Sequence, residues 1–308
     1  MRFTRVRVFL AAGVTALAAA AAVLAVPAAA GAGVFRAVTG NAGPTHKPKP
    51  PPGDLYYVAG GYIMRVSVSG GASKRVVRVG DVSVTGIAIA DNRLFWVTLT
   101  GADDAISYVG LKGTPHAHTL VGGLDFPVGL VAAGGWLYWA DENAIGRVRP
   151  NGTKLSREFI KLPQQAGGGV ADGLATDGHH LFFSRCVAGE IGRVNFGGGG
   201  LAFIKLPQGS CPQGLAVGAG ELYWAEVGGH IGRATLQGTH IVNKWLYIHT
   251  NQGPFGLAAD RDDIYWDWGG AAGSPQDIGR VRVSGRGFRR ILLPGQGAFL
   301  LTSPGANT

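Results

Sequence analysis

The chain holds eight His, 19 Asp and Glu, 28 Lys and Arg, and two Cys in 308 residues, and few of these are spaced for chemistry. No His or Cys run has zinc-ligand spacing. His179-His180 read as a solvated turn, His116 and His118 as part of a polar connection, and Asp260 to Asp263 lack EF-hand spacing. Asp172, Glu226 and His230 are the one set that could assemble acid–base or metal-assisted chemistry. Asp141/Arg147 and Glu226/Arg233 read as structural ion pairs between a strand end and the next strand, because a half-buried Arg needs a carboxylate. In the fourth copy of that pattern Arg185 replaces the acid, and Glu190 is the substitute partner for Arg193. Cys186 and Cys211 suggest one disulfide in an exported chain. Arg282, Arg286, Arg289 and Arg290 read as a solvated outer strand, with a polyanion site as the alternative.

Residues 1–30 have the form of a signal peptide: Arg2, Arg5 and Arg7, an apolar stretch of 19 residues from Val8 to Val26, then Ala28 and Ala30 at small-x-small spacing. The stretch also equals the length of a bilayer span, so cleavage and retention as an anchor both stay open. Residues 31–53 form a Pro-rich tether expected to be extended or disordered. Six of the 28 Lys and Arg and no acid lie in residues 1–53, which leaves 22 bases against 19 acids beyond them. The formal +9 of the chain therefore falls to +3 for residues 54–308, and nothing in that balance calls for nucleic acid. With 52 Gly and 16 Pro and only 15% charged residues, a coiled coil or helical bundle is excluded.

Three signatures recur in constant order through residues 54–308. An aromatic triplet begins at Leu55, Leu94, Leu137, Leu181, Leu222 and Ile264, at intervals of 39, 43, 44, 41 and 42 residues. An Ile-x-x signature, usually Ile-Gly-Arg, follows at Ile63, Ile106, Ile145, Ile191, Ile231 and Ile278. A Gly-aliphatic pattern precedes the next triplet at Gly86, Gly129, Gly173, Gly214 and Gly256. Six such units of about 42 residues, punctuated by turn residues, predict an all-β six-bladed β-propeller of four-stranded antiparallel blades. The triplets carry no polar alternation, as expected for strands covered on both faces. The first unit lacks an inner strand, and Gly297 to Leu301 is a surplus apolar strand, so the C-terminal strand is expected to close the ring in the first blade.

Tyr138-Trp139-Ala140-Asp141 and Tyr223-Trp224-Ala225-Glu226 resemble the YWTD repeats of low-density lipoprotein receptor propellers. The longer string from Leu137 to Val148, with Phe159 to Pro163 and Gly173-Leu174-Ala175, is similar to virginiamycin B (streptogramin) lyase repeats. The lyase resemblance implies Mg²⁺ and histidines in Pro-His-Gly loops before the inner strands. The matching residues here are Thr85, Val128, Asp172, Gln213 and Phe255, and none is His. Lyase chemistry at that place is therefore not expected, and neither a cofactor nor a metal is assigned.

Ring folds bind at the mouth of the central channel. The expected ligand-binding set is accordingly Thr85, Val128, Asp172, Gln213 and Phe255, bordered by Asp267 and Trp268. This mixed, largely apolar set suits a protein, peptide or glycan of the cell exterior or envelope, bound by a monomer. Contact with a membrane is expected only if the N-terminal segment is retained. The alternative is a divalent-metal-dependent lyase or lactonase built on Asp172, Glu226 and His230.

Overall fold

The computed structural model describes residues 53–113, 115–141, 144–163, 172–248, 254, 256–268 and 277–291, and for residues 268, 277, 290 and 291 the backbone only. It contains six antiparallel sheets in chain order, with no helix among the described residues. The first sheet is β1 (Asp54–Ala59), β2 (Tyr62–Ser67) and β3 (Lys74–Arg78). The second is β4 (Ser83–Ala90), β5 (Arg93–Leu99), β6 (Ala105–Gly110) and β7 (His118–Val121). The third is β8 (Val128–Ala133), β9 (Trp136–Ala140), β10 (Ala144–Val148) and β11 (Ser156–Lys161). The fourth is β12 (Leu174–Thr176), β13 (His180–Arg185), β14 (Glu190–Asn195) and β15 (Ala202–Lys205). The fifth is β16 (Pro212–Gly218), β17 (Glu221–Glu226), β18 (His230–Thr235) and β19 (Val242–Tyr247). The sixth is β20 (Leu257–Ala259), β21 (Asp263–Trp268), β22 (Asp277–Arg282) and β23 (Arg289–Ile291).

Six apolar clusters lie between these sheets, each joining one blade to the next. One joins the last blade to the first: Leu55, Tyr57 and Val66 pack with Ala258, Tyr265 and Ile278. The ring is therefore closed, and the chain is a six-bladed β-propeller. The expected closing strand, Gly297 to Leu301, lies outside the described residues. The aromatic triplets fill these seams: Trp139, Trp224, Trp266, Phe182 and Phe183 are fully buried. Burying such a ring removes about 200 Å² from water, worth at most about 5 kcal/mol each.

The Ile-Gly-Arg glycines are seats for those rings. Gly146 pairs with Trp139, Gly192 with Phe183, Gly232 with Trp224 and Gly279 with Trp266 across adjacent strands. A Cβ on any of the four would lie 2.0–2.2 Å from the facing ring. The aromatic covers the bare backbone opposite it, which is how a Gly is tolerated in mid-sheet. The inner-strand glycines have a different cause, the convergence of neighbouring blades. A Cβ at Gly86 would come within 2.5 Å of the Gly129 backbone, and one at Gly173 within 2.6 Å of the Gln213 carbonyl.

The arginines of the same signature tie blades together. Three of them donate from the guanidinium to a carbonyl of the next blade: Arg147 to Phe196 just past β14, Arg193 to Leu236 just past β18 and Arg280 to Val68 just past β2, at 3.3–3.4 Å. In the second blade Tyr108 stands in the Arg position, and Arg93 supplies the cation from the neighbouring strand. It lies over the Tyr108 ring and donates to the Pro150 carbonyl of the third blade at 3.2 Å.

This placement corrects the ion pairs expected from the sequence. Register puts Arg147 opposite Tyr138 and Arg233 opposite Tyr223, away from the strand ends that carry Asp141 and Glu226. Arg147 stacks on Trp136 and Phe159, and Arg233 pairs with Glu221 at 3.2 Å. Glu190 partners Arg185 rather than Arg193: the pair is 2.8 Å apart with both side chains 1% exposed.

Candidate functional site

Register divides the ring into two rims. The inner strands begin opposite the ends of the second strands, as in Val128↔Ala140 and Pro212↔Glu226. One rim, the front, thus carries the connections into the inner strands and the turns between second and third strands. The back rim carries the inner turns and the connections out to the fourth strands. Neighbouring inner strands start side by side, since Thr85 donates its hydroxyl to the Pro127 carbonyl at 2.8 Å and Gly173 abuts Gln213.

The structure places Thr85, Val128, Asp172 and Gln213 at this front end of consecutive inner strands. Phe255 lies outside the described residues, as does the Trp268 side chain. Thr85 spends its hydroxyl on Pro127, and the Gln213 carbonyl accepts the Ser184 hydroxyl at 2.5 Å. Asp267, expected to border the channel, is 1% exposed, and its carboxylate accepts the Gly256 N–H at 2.7 Å. It fixes the start of β20 rather than facing a ligand. Among the expected set, Asp172 is the exposed acid.

Asp172 and Glu226 flank a bridge between the fourth and fifth blades. Cys186 and Cys211 are joined through sulfur. The Cys186 N–H donates to Asp172 at 3.1 Å, and the Cys211 N–H donates to Glu226. Glu226 also accepts the Trp224 ring N–H at 3.0 Å, so both of its oxygens are engaged. Burial raises the Glu226 carboxyl, and these two hydrogen bonds offset only part of the rise. Asp172 keeps an open face to water but sits in the concave mouth of the ring, and loss of hydration pushes it up to about 6 against the pull of the Cys186 N–H. His230 lies on β18 opposite Tyr247, with ring centroids 4.8 Å apart, and burial aided by Lys244 lowers it.

The residues at the lyase-like positions do not fit a Mg²⁺ site: they offer one carboxylate, at Asp172, and Glu226 is saturated by donors. Among the described residues no group of three or more His, Cys, Asp or Glu is placed to hold a metal ion. Sequence reasoning missed the Arg185–Glu190 pair beside the disulfide, which Lys205 joins through Glu190. The signal was available as a base and an acid, Arg185 and Glu190, on either side of the turn between β13 and β14.

Fold and rims together define a six-bladed propeller whose front rim is organised by side chains that hold strand starts. No protein-family model matches the chain, and no curated protein matches it. Among solved structures, a chain of the nidogen/laminin complex is similar with a TM-score of 0.66 and 15% identity, covering 83% of this chain and 100% of that one. A catalytically inactive virginiamycin B lyase from Staphylococcus aureus with quinupristin has a TM-score of 0.54 and 21% identity, covering 78% of this chain and 85% of that one. A streptogramin B lyase structure has a TM-score of 0.51 and 22% identity, covering 67% of this chain and 69% of that one. These likenesses establish the propeller fold and leave the activity to the residues.

Proposed function

We propose that the chain is an exported, non-enzymatic binding propeller whose front rim recognises a protein, peptide or glycan of the cell exterior or envelope. The observation that carries this reading is how the rim's polar groups are used. Thr85, Ser184, Glu226 and Asp267 all hold backbone atoms in place. What the rim offers to solvent is apolar Val82, Val187 and Val227 beside exposed Asp81, Asp103, Asp125 and Asp172 and exposed Arg78, Lys161 and Lys205 at the ends of β3, β11 and β15. Apolar anchors ringed by polar groups suit recognition. The likeness to a chain crystallised in a complex of two proteins supports the same reading, and the form of residues 1–30 supports export. Among the described residues no helix is long and apolar enough to cross a membrane.

The alternative, a lyase or lactonase, draws on the likeness to the lyase propellers and on Asp172, whose carboxyl near 6 suits proton transfer at neutral pH. One experiment separates the two. Immobilised full-length chain is exposed to the solubilised outer envelope fraction, beside a Val187→Lys/Val227→Lys variant, and both are incubated with quinupristin and Mg²⁺. Specific capture that is about tenfold weaker in the variant, the scale of losing an interface anchor, with quinupristin unchanged, is the expected result. Equal capture by both proteins, or quinupristin turnover abolished by Asp172→Asn, would overturn it.

A further inference from the structure

The back rim is richer in exposed bases. Exposed Lys74, Lys154, Arg261, Arg282, Arg286 and Arg289 lie there, with Asp91 and Asp262 the exposed acids. Interleaved with these bases are exposed apolar residues from four blades: Leu155 at 44%, Leu201 at 37%, Val242 at 41% and Phe288 at 51%. The charge is densest at the hairpin tip between β22 and β23. Its backbone is closed by Arg282 N–H to the Arg286 carbonyl at 3.0 Å and Gly285 N–H to the Arg282 carbonyl at 2.7 Å. The tip presents Arg282, Arg286 and Arg289 around Phe288, whose ring stands 5.8 Å from Trp266.

The chain enters the ring at this place. The Val68 N–H donates to the Gly53 carbonyl at 3.3 Å, and the Val68 carbonyl accepts Arg280, on the strand that leads into the arginine tip. The sequence that arrives there carries Lys47, Lys49 and no acid in residues 1–53, behind the apolar stretch from Val8 to Val26. Bases and apolar side chains on one face, at the point where a basic tether joins it, match the interfacial zone of a bilayer with anionic headgroups. A soluble polyanion would use the bases and leave the four apolar residues without a role.

We propose that the back rim, centred on the Arg282–Arg289 tip, docks on an anionic lipid surface. Docking leaves the front rim facing away from the bilayer, open to a partner. The proposal does not depend on what the front rim binds.

The test is co-sedimentation of the full chain with phosphatidylcholine vesicles and with vesicles containing phosphatidylglycerol, so that hydrophobic capture by the N-terminal segment cancels in the difference. The expected result is a phosphatidylglycerol-dependent gain that falls about a hundredfold in Arg282→Glu/Arg286→Glu/Arg289→Glu, given the attraction contributed by each base near an anionic surface. The same gain is expected to fall several-fold in Phe288→Ser and to survive Lys47→Glu/Lys49→Glu. Arg282, Arg286, Phe288 and Arg289 are exposed, and circular dichroism of each variant confirms the fold. Three outcomes would overturn the proposal: no dependence on phosphatidylglycerol, a dependence carried by Lys47 and Lys49 alone, or heparin bound without lipid as tightly as the vesicles and insensitive to Phe288→Ser.

Discussion

The front and back rims solve one problem with opposite charges. At the front, the connections leave backbone N–H groups without strand partners, and carboxylates accept from them: Asp104 from Thr100 and Gly101, Asp172 from Cys186, Glu226 from Cys211, Asp267 from Gly256. At the back, the carbonyls of Phe196, Leu236 and Val68 lie just past β14, β18 and β2, and guanidinium groups of the preceding blade donate to them. Buried backbone groups must find partners, and only acids accept while only bases donate without reserve. The small net charge of the ring therefore averages over a front rim of mixed exposed charge and a back rim rich in exposed bases. The inner turns of the back rim keep the front-rim rule locally, since Asp177 and Asp260 accept N–H groups two and three residues on.

If carboxylates hold the front rim and guanidinium groups the back, breaking each should differ in size. The largest effect belongs to Glu190→Ala at the front, which strands Arg185 at 1% exposure with its remaining bond to the Pro163 carbonyl. Removing one partner of a buried pair costs about 3–5 kcal/mol, read as a lower urea midpoint. A loss no larger than that of a surface ion pair would show that water reaches this seam and would erase the distinction. Arg193→Met at the back keeps most of the apolar stem and removes one charge-assisted bond to Leu236, so about 1.5–3 kcal/mol is expected. Arg193→Lys should recover little, because a single ammonium cannot reproduce the guanidinium fork. Full rescue by Lys would mean that charge, not the bridge between blades, matters there.

Blade count and strand order were legible because the repeat is enforced by packing: an aromatic at Trp139 or Trp224 demands a Gly opposite it, and both recur at fixed distance. The partners of the arginines were not legible. Counting along the chain brings Asp141 near Arg147, whereas register sets Arg147 opposite Tyr138 and turns its guanidinium toward the next blade. A carbonyl acceptor leaves no trace in residue identity. The same limit applies to the site. Position before an inner strand located Thr85, Val128, Asp172 and Gln213 at one rim, but no sequence signal tells that Thr85 spends its hydroxyl on Pro127 or that Asp267 is buried. The basic back rim was visible only as +3 until the rims were assigned.

The smallest effect is also the sharpest test of what Asp172 does on the front rim. Its carboxyl, moved from the ordinary 3.8 to about 6, stays protonated in the folded ring at pH values where the unfolded chain has released the proton. The folded state then binds more protons between those limits, so stability contributed by this group is present below about pH 4 and is lost as pH rises to about 6. Asp172→Asn removes that dependence. Wild type should therefore lose melting temperature relative to the variant across this window and run parallel to it at higher pH. Contact with water at the open face makes the difference smaller than that for Arg193. The reverse slope, with wild type gaining on the variant as pH rises, would show a carboxylate stabilised by its Cys186 N–H rather than destabilised by the mouth of the ring. Asp172 would then not be poised near neutrality for either binding or proton transfer.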